Sequence, residues 1–414
     1  MSAEIQRKEF TVALSESLDK VSLGKIVVIR EQLMKAQAAG QTVYRLESGD
    51  PSFSVAPHVL AALQAAAAAG KTHYIPNDGI PQLRAALRDK LRRKNNIPAV
   101  TENDIFVTNG AMHALFVTFC CLLANGDEVI VPDPMWTEVV ENVKLSGGVP
   151  VGVPLRFEKD FEYDPADIRK HITPRTKAIF LNTPHNPTGA VLSKETLLEI
   201  VAIAEAHGLW IVADEAYEDV LYAPNKHYSI ASLAPHYLDK IVSVFSFSKS
   251  YAMSGLRVGC IVTTNATLQS RIPKLLRCTI NGVNSVAQWA ALAALEGPQD
   301  QIGEMQAEYA VRRSLLFDAL TGIEGLRVFK PHGGFCMWAE LDPKLYARLG
   351  CKDAAELSEW LAQMGIGSAP GDAFGETCHD AIRFAFSCDT AMVRDGAVAL
   401  RNALTGQGIS AAGC

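Results

Sequence analysis

Short apolar runs alternate with helix-like segments between about residues 100 and 265. In those segments the apolar residues recur every three or four positions. The apolar runs are 105–107, 128–131, 178–181, 209–213 and 241–245. Runs of this length predict buried strands, and strands that alternate with helices typically form a mainly parallel sheet covered on both faces. We therefore predict an α/β fold whose large domain holds a mainly parallel sheet between layers of helices.

The pattern changes after about residue 295, where this regular alternation ends. The elements predicted there are a helix over 299–320, strands over 334–341 and 381–386, and helices that begin at Asp353 and Thr390. This mixture indicates a second, smaller α+β domain. We predict a large domain at residues 52–297 and a small domain that combines residues 1–51 with 298–414.

Composition and charge narrow the class of protein. Hydrophobic residues make up 48% of the 414 and charged residues 20%, which is typical of a folded globular chain. The formal net charge of −6 gives no reason to expect nucleic acid or an anionic membrane as a partner. The basic run at 84–94 contains leucines at helical spacing, which predicts a helix with a solvated charged face. The nine cysteines form no Cys-x-x-Cys pair and no Cys/His cluster, so we expect no metal site and a reducing compartment.

No segment predicts export or membrane insertion. The first ten residues lack the apolar core of a signal peptide. No stretch reaches the roughly 20 consecutive apolar residues that a membrane helix needs. We therefore expect a cytoplasmic protein.

Lys249 is the first candidate for covalent chemistry. It follows Ser246, Phe247 and Ser248 at the end of a predicted strand, and Arg257 comes eight positions later within a glycine-flanked run. A lysine amine can form a Schiff base with an aldehyde. Serine hydroxyls and a guanidinium can hold a phosphate by charge-assisted hydrogen bonds. A phosphorylated aldehyde such as pyridoxal 5′-phosphate needs both kinds of group.

Asp214 ends another predicted strand, and Tyr217 follows three residues later. A carboxylate just past a buried strand needs a partner, and a protonated pyridine nitrogen supplies one. Tyr217 could then hydrogen-bond the phenolic oxygen of the same ring. The structural alternative is that Asp214 caps a turn and Tyr217 belongs to the core.

Three further segments contain groups suited to a cofactor. Asn109-Gly110 joins a strand to a helix, where free amides can bind a phosphate, although many helices begin after Asn-Gly. Asn186 lies in a turn made rigid by two prolines and a glycine, where Asn-Pro is a reasonable site for a cis peptide; an ordinary turn is the alternative. Trp136 could stack on a ring and Tyr74 could reach a phosphate, whereas core packing and a surface position are the simpler explanations.

Arg383 lies within the predicted apolar strand 381–386, where its guanidinium needs a partner. A substrate carboxylate could accept a two-pronged pair. The alternatives are an internal ion pair or an outward-facing position on an edge strand. Gly49 could bring backbone close to the same carboxylate, or it could form a turn.

The chain resembles the class I/II aminotransferases, which are fold-type I pyridoxal phosphate enzymes, over nearly its whole length. The motifs that carry the resemblance are, in chain order, Asn109-Gly110, Asn186-Pro187-Thr188-Gly189, Asp214-Glu215-Ala216-Tyr217, Ser246-x-Ser248-Lys249, Arg257 and Arg383. Each motif alone is modest evidence, but the ordered set is specific to this family. The resemblance implies ping-pong transfer of an amino group from an L-α-amino acid to a 2-oxo acid. It also implies a homodimer with shared active sites.

The resemblance implies a role for each candidate residue. The implied catalytic residues are Lys249, as Schiff-base lysine and proton shuttle, Asp214 on the ring nitrogen and Tyr217 on the ring oxygen. The residues implied to bind pyridoxal 5′-phosphate are those three with Gly110, Ala111, Met112, Trp136, Asn186, Ser246, Ser248, Arg257 and, from the other subunit, Tyr74. The residues implied to bind the substrate are Gly49, Trp136, Asn186 and Arg383.

Both the outcome of the reaction and the substrate stay open at this point. The same residues would activate the Cα–H bond in a β-lyase, a racemase or an amino-acid oxidase built on the same fold. Bacterial aspartate aminotransferases often have a lysine where Met112 stands, and Arg277 is the alternative cation here. Met112, Trp136 and the apolar segment 23–29, which the resemblance implies lies over the site, favour a neutral, apolar or aromatic side chain.

Overall fold

The computed structural model describes residues 18–19, 21–22 and 24–406. Lys20, Leu23 and both ends of the predicted small domain, positions 1–17 and 407–414, lie outside these ranges. Within them, no helix is both long enough and apolar enough to cross a membrane.

Helices and strands alternate along the described residues. The α-helices there are α1 (Lys25–Ala38), α2 (Pro57–Ala68), α3 (Pro81–Arg93), α4 (Gly110–Leu122), α5 (Thr137–Leu145), α6 (Pro165–His171), α7 (Lys194–His207), α8 (Ile230–Leu233), α9 (Phe247–Ser250), α10 (Ala266–Thr279), α11 (Ser285–Glu296), α12 (Asp300–Leu320), α13 (Pro343–Arg348), α14 (Ala354–Gln363) and α15 (Thr390–Thr405). The strands are β1 (Ile105–Thr108), β2 (Glu128–Asp133), β3 (Val149–Pro154), β4 (Thr176–Asn182), β5 (Trp210–Asp214), β6 (Ile241–Ser246), β7 (Gly259–Val262), β8 (Leu326–Val328), β9 (Cys336–Leu341), β10 (Ala369–Pro370) and β11 (Ala381–Ala385).

Seven strands form the larger sheet, in the order β1-β7-β6-β5-β4-β2-β3. Strands β2 to β6 are all parallel to one another, and β7 is antiparallel to both of its neighbours, β1 and β6. Along β4, Ala178 and Phe180 pack into one apolar cluster, while Ile179 and Leu181 pack into another. This alternation buries both faces of the sheet. The predicted α/β architecture is therefore confirmed.

Two strands of this sheet were not predicted, for different reasons. Strand β3 lies at the sheet edge, is partly exposed and contains two prolines, so it has no continuous apolar run. Strand β7 has only four residues and begins with a glycine. Both lack the length or composition on which the pattern-based prediction depends.

A second, antiparallel sheet has the strand order β10-β11-β9-β8. Its core is shared with α12, α14 and α15, through residues that include Leu316, Leu357, Phe384 and Leu400. The predicted helix over 299–320 matches α12, and the helices predicted from Asp353 and Thr390 match α14 and α15. From this separation of the two sheets we propose the domain bounds 52–297, and 1–51 with 298–414.

The prediction of a fully solvated basic face on α3 is wrong at Lys90. Its side chain is buried, its ammonium donates to the Glu218 carboxylate, and the nitrogen lies 4.2 Å from the centre of the Phe245 ring. A buried ammonium of this kind requires a buried anion. Helical spacing gave no sign of Glu218, which is distant in sequence.

Candidate active site

Three parallel strands end with a polar residue at the same edge of the larger sheet: β4 at Asn182, β5 at Asp214 and β6 at Ser246. A cavity of about 600 Å³ lies at this edge. The predicted site residues that line it are Gly49, Ala111, Met112, Trp136, Asn186, Asp214, Tyr217, Ser246, Ser248, Lys249, Arg257 and Arg383. The carboxyl ends of parallel strands are where open α/β sheets bind their ligands.

Lys249 lies in the short helix α9, which directly follows β6. Its amine donates a hydrogen bond to the Gly49 carbonyl oxygen at 2.7 Å. Burial lowers the pKa of Lys249 to about 8. A larger fraction of this amine is therefore uncharged near neutral pH than for a solvated lysine, and only the uncharged amine is a nucleophile.

Asp214 is a buried carboxylate with no basic side chain within ion-pair distance among the described residues. One of its oxygens accepts a hydrogen bond from the Ala216 amide at 3.1 Å, so the turn-capping alternative is realised. Burial raises the pKa of Asp214 to about 7, and the neighbouring Glu215 carboxylate adds to that rise. A ligand that brings a cationic nitrogen to this oxygen pair would restore the ionised form.

A second group of residues, at the start of α4 and around Arg257, suits a phosphate. Helix α4 begins at Gly110 without a side-chain cap, so amides of its first turn are free. The Arg257 guanidinium donates to the Ser254 carbonyl at 2.7 Å, and no acid pairs with it in the part of the chain that the structure describes. A Cβ on Gly110 would come within 2.5 Å of that guanidinium, so only glycine fits between them. These donors, with the Ser246 hydroxyl, fit a phosphate group.

Arg383 is buried in β11, which lies between β9 and β10 and is not an edge strand. Its guanidinium donates to the Glu47 carbonyl oxygen at 2.5 Å and to the Asn186 side-chain oxygen at 3.4 Å. Its Nε has no partner, and within residues 24–406 no carboxylate forms an ion pair with it. Both structural alternatives for Arg383 are therefore wrong, and a carboxylate ligand fits the remaining donor.

The aromatic and amide groups complete the cavity wall. Tyr217 is buried and packs edge-to-face on Phe335, with 5.2 Å between ring centres. The Asn186–Pro187 peptide is cis, as predicted, and Trp136 directly precedes α5. The tyrosine hydroxyl, the amide and the indole therefore border one space with Asp214.

Two predicted site residues do not line the cavity. Gly110 lies behind Arg257, as the close approach between them requires. Tyr74 is 90% exposed and borders a separate groove of about 420 Å³ with residues 280–286. A single chain therefore does not bring Tyr74 to the other site residues.

Several charged residues of the cavity were missed by the sequence analysis. Arg30 and Arg45 line it, and so do Glu47 and Glu138. The apolar segment 23–29 was expected over the site, and its residues Ile26 and Val27 do line the cavity. Arg30 directly follows this segment, and this neighbouring position is the signal from which its place at the cavity could have been predicted. Arg277 does not line the cavity.

Arg45 and Arg30 differ in their partners. Arg45 is paired with the buried Glu47 carboxylate at 2.6 Å. Arg30 is exposed to the cavity and has no acid within ion-pair distance among the residues that the structure covers. One unpaired guanidinium is thus available in addition to Arg257 and Arg383.

Comparison with known proteins gives a consistent result. The family model described as aminotransferase class I and II matches residues 41–400. The aspartate aminotransferase of Geobacillus stearothermophilus is 34% identical over 380 residues, which cover 91% of this chain and 95% of that protein. The aspartate/prephenate aminotransferase of Thermus thermophilus is 35% identical over 377 residues, covering 90% and 94%. The structure of Thermus thermophilus aspartate aminotransferase with maleate has a TM-score of 0.88 and 32% identity, covering 95% of this chain and 100% of that one.

The raised pKa of Asp214 predicts a pH-dependent stability of the protein without cofactor. An aspartate whose pKa is higher in the folded state destabilises folding increasingly as pH rises from about 4 to about 7. The penalty amounts to roughly 4 kcal/mol above pH 7. We expect Asp214→Asn to raise the thermal unfolding midpoint by several degrees at pH 8 and by much less at pH 4.5. Differential scanning fluorimetry of both proteins across this range measures the gap.

The exposed Asp318 provides the control, because Asp318→Asn changes the same chemical group without burial. Its unfolding midpoint should follow the wild type at every pH. A gap for Asp214→Asn that is constant with pH would contradict the prediction.

Proposed function

The chain belongs to the class I and II aminotransferases, and from this membership we propose how its residues bind cofactor and substrate. The protein is an aminotransferase, which moves an amino group from an amino acid to a 2-oxo acid. The family uses pyridoxal 5′-phosphate. We propose that the cavity at the strand ends binds this cofactor and one substrate at a time.

The residues of the cavity fit both the phosphate and the ring of the cofactor. Arg257, the Ser246 and Ser248 hydroxyls and the amides at the start of α4 would hold the phosphate. Asp214 would bind the ring nitrogen, and Tyr217 and Asn186 the ring oxygen. Trp136 would cover one face of the ring. Arg383, with Gly49 and Asn186 beside it, would bind the α-carboxylate of the substrate.

Lys249 would perform the proton transfer. When bound, the cofactor supplies an aldehyde that takes up the amino group and a ring that withdraws electrons from the substrate Cα. The Lys249 amine lines the same cavity as Arg383, so it would take up the Cα proton of a bound amino acid and give it back in the second half of the transfer. Its lowered pKa near 8 keeps part of it in the basic form at neutral pH.

One observation carries this proposal: Asp214 ends β5, Lys249 follows the adjacent parallel strand β6 by three residues, and neither the buried carboxylate nor the partly buried amine has an ion-pair partner in the described chain. Isolated buried charges are unfavourable unless a ligand completes them. A pyridinium nitrogen and an aldehyde complete both. A β-lyase, racemase or oxidase would use the same pair, but the family membership favours transfer.

Replacement of Lys249 tests the proposal. We expect Lys249→Ala to lower the rate of amino transfer to 2-oxoglutarate by about 10²–10⁴-fold, because the covalent link and the proton carrier are both lost. Borohydride reduction of the wild type, followed by peptide mapping, should attach the cofactor to the peptide that contains Lys249. Lys194→Ala, at an exposed lysine of α7, is the matched control and should keep wild-type activity. Labelling of another lysine, or ammonia release without consumption of 2-oxo acid, would refute the assignment.

For the substrate we propose a dicarboxylic amino acid as one of the pair. The named relatives are aspartate and aspartate/prephenate aminotransferases. The unpaired guanidinium of Arg30 supports a side-chain carboxylate at the same site, despite Met112 in place of a lysine. The half-buried Ile26 and Val27 beside it support the alternative, an apolar or aromatic side chain.

Arg30→Ala separates these two substrate classes. We expect kcat/KM for aspartate to fall by about 10- to 100-fold, because a charge-assisted hydrogen bond contributes about 1.5–3 kcal/mol. The value for leucine or phenylalanine should change little. Lys35→Ala, which removes an exposed cation from the same helix, is the control. An equal loss for all donors would argue against a side-chain role for Arg30.

We also propose that the protein is a homodimer in which Tyr74 of one subunit reaches the phosphate of the other. Two observations support this arrangement. The Tyr74 side chain is 90% exposed, and it borders a separate groove and not the cavity of its own chain. Since the family resemblance assigns this tyrosine to the cofactor, a second subunit would have to bring it there. Exposed aromatic side chains with polar tips are common at interfaces.

Tyr74→Phe tests this arrangement. We expect the dissociation constant for pyridoxal phosphate to rise about tenfold, because one hydrogen bond to a charged group is lost. Light scattering should give the mass of two chains for both proteins. His73→Gln, at an exposed neighbouring position, should leave the affinity unchanged. An unchanged affinity in Tyr74→Phe, or a monomeric wild type, would contradict a shared site.

A further inference from the structure

A group of four ionisable side chains, all almost fully buried, lies beside Asp214 but outside the cavity of the proposed active site. It comprises Lys90, Glu215, Glu218 and His227, and we call it the charge cluster. The side chains are 10%, 1%, 6% and 7% exposed, respectively. Groups that are so little hydrated must balance each other's charge.

Glu218 already has a permanent counter-ion. It accepts a hydrogen bond from the Lys90 ammonium and another from the Asn95 amide at 2.7 Å. Lys94 lies 3.8 Å away, but it is closer to Asp219, at 2.5 Å. These cations account for Glu218 and Asp219, and none of them forms an ion pair with Glu215.

Glu215 depends on His227 for a counter-ion. One carboxylate oxygen accepts a hydrogen bond from His227 Nε2 at 2.9 Å, and the other accepts one from the Ser229 hydroxyl at 2.8 Å. Serine has no charge, so His227 is the sole basic partner of Glu215 within the described residues. The charge cluster is neutral only when the imidazole is protonated.

Asp214 and Glu215 are consecutive buried carboxylates, and their chain segment is held in place by the sheet. The Glu215 amide donates to the Val244 carbonyl at 2.9 Å, and the Asn182 side chain donates to the Asp214 carbonyl at 3.1 Å. The backbone that carries the two carboxylates is therefore fixed by the sheet. Two like charges fixed near each other disfavour ionisation of both, unless one is balanced.

His227 borders a second, polar cavity of about 270 Å³, and its Nδ1 is buried without a hydrogen-bond partner among the described residues. The ionisable groups around it are Glu215 in direct contact and, across this cavity, Lys94, Glu218, Asp219 and Tyr228. His227 therefore lies outside the cavity that the substrate would occupy.

We propose that His227 is a positioning residue which, by balancing Glu215, makes it easier for Asp214 to ionise when it binds the cofactor ring nitrogen. The proposal rests on the proposed function, because it assigns the ring nitrogen to Asp214. His227 itself touches neither cofactor nor substrate. It acts through the charge of Glu215.

The test combines two single variants and their double. His227→Gln keeps a hydrogen-bond donor for Glu215 but removes the charge, so the dissociation constant for pyridoxal phosphate at pH 7 should rise about tenfold. Glu215→Gln removes the carboxylate that needs balance, so the affinity should stay within about twofold of the wild type. The double variant should regain most of the affinity lost in His227→Gln. A role in packing alone would make the double variant at least as weak as His227→Gln, and this result would overturn the proposal.

A second measurement needs no cofactor. The increase in unfolding midpoint caused by Asp214→Asn at pH 7 should be larger in the His227→Gln background than in the wild type, because Asp214 is then harder to ionise. An equal increase would overturn the proposal even if all variants fold. Failure of the wild type to bind pyridoxal phosphate would instead refute the proposed function, and this cofactor-free comparison would still decide the role of His227.

Discussion

The structure depends on a carboxylate that the fold buries without giving it a cation. Asp214 ends a central strand, where neighbouring strands and helices exclude water from it. The protein alone therefore favours its protonated form, and a cationic ring nitrogen would favour its ionised form. Lys249 and Arg383 are the corresponding case with positive charge, because neither forms an ion pair with an acid in the described part of the chain. Asp214, Lys249 and Arg383 are therefore matched to a ligand and not to one another.

The second sheet supplies the part of the site that the first lacks. Strand β11 brings Arg383 to the cavity, and the segment around Glu47 joins both halves, since its carbonyl oxygens accept hydrogen bonds from Arg383 and, at Gly49, from Lys249. A substrate bound to Arg383 and a cofactor bound to Lys249 would thus be held against one strip of backbone. Backbone acceptors cannot change rotamer, so the relative positions of these two groups are fixed by the fold.

The sequence allowed the central strands and most of the cavity to be predicted, because long apolar runs and polar residues at strand ends are local signals. Strand β3, with its prolines, and the four-residue β7 lack such signals. The burial of Lys90 depends on Glu218, far away in the chain, and no helical pattern contains that information. Arg30 was missed because a cation on an exposed helix resembles any solvated residue. Tyr74 was singled out as a tyrosine that could reach a phosphate, and the family resemblance assigned it to the other subunit; a single chain leaves it apart from the cavity.

Helix α1 differs from the rest of the cavity wall because its residues are not bonded to the proposed catalytic groups. Ile26, Val27 and Arg30 face the cavity from it, and within the described chain none of their side chains is hydrogen-bonded to Lys249, Asp214 or Arg383. Exchange of such residues disturbs little of the core, since surface substitutions usually change stability only slightly. Descendants of this protein could therefore acquire new substrates through a few codons of one helix, while the reaction chemistry is inherited intact.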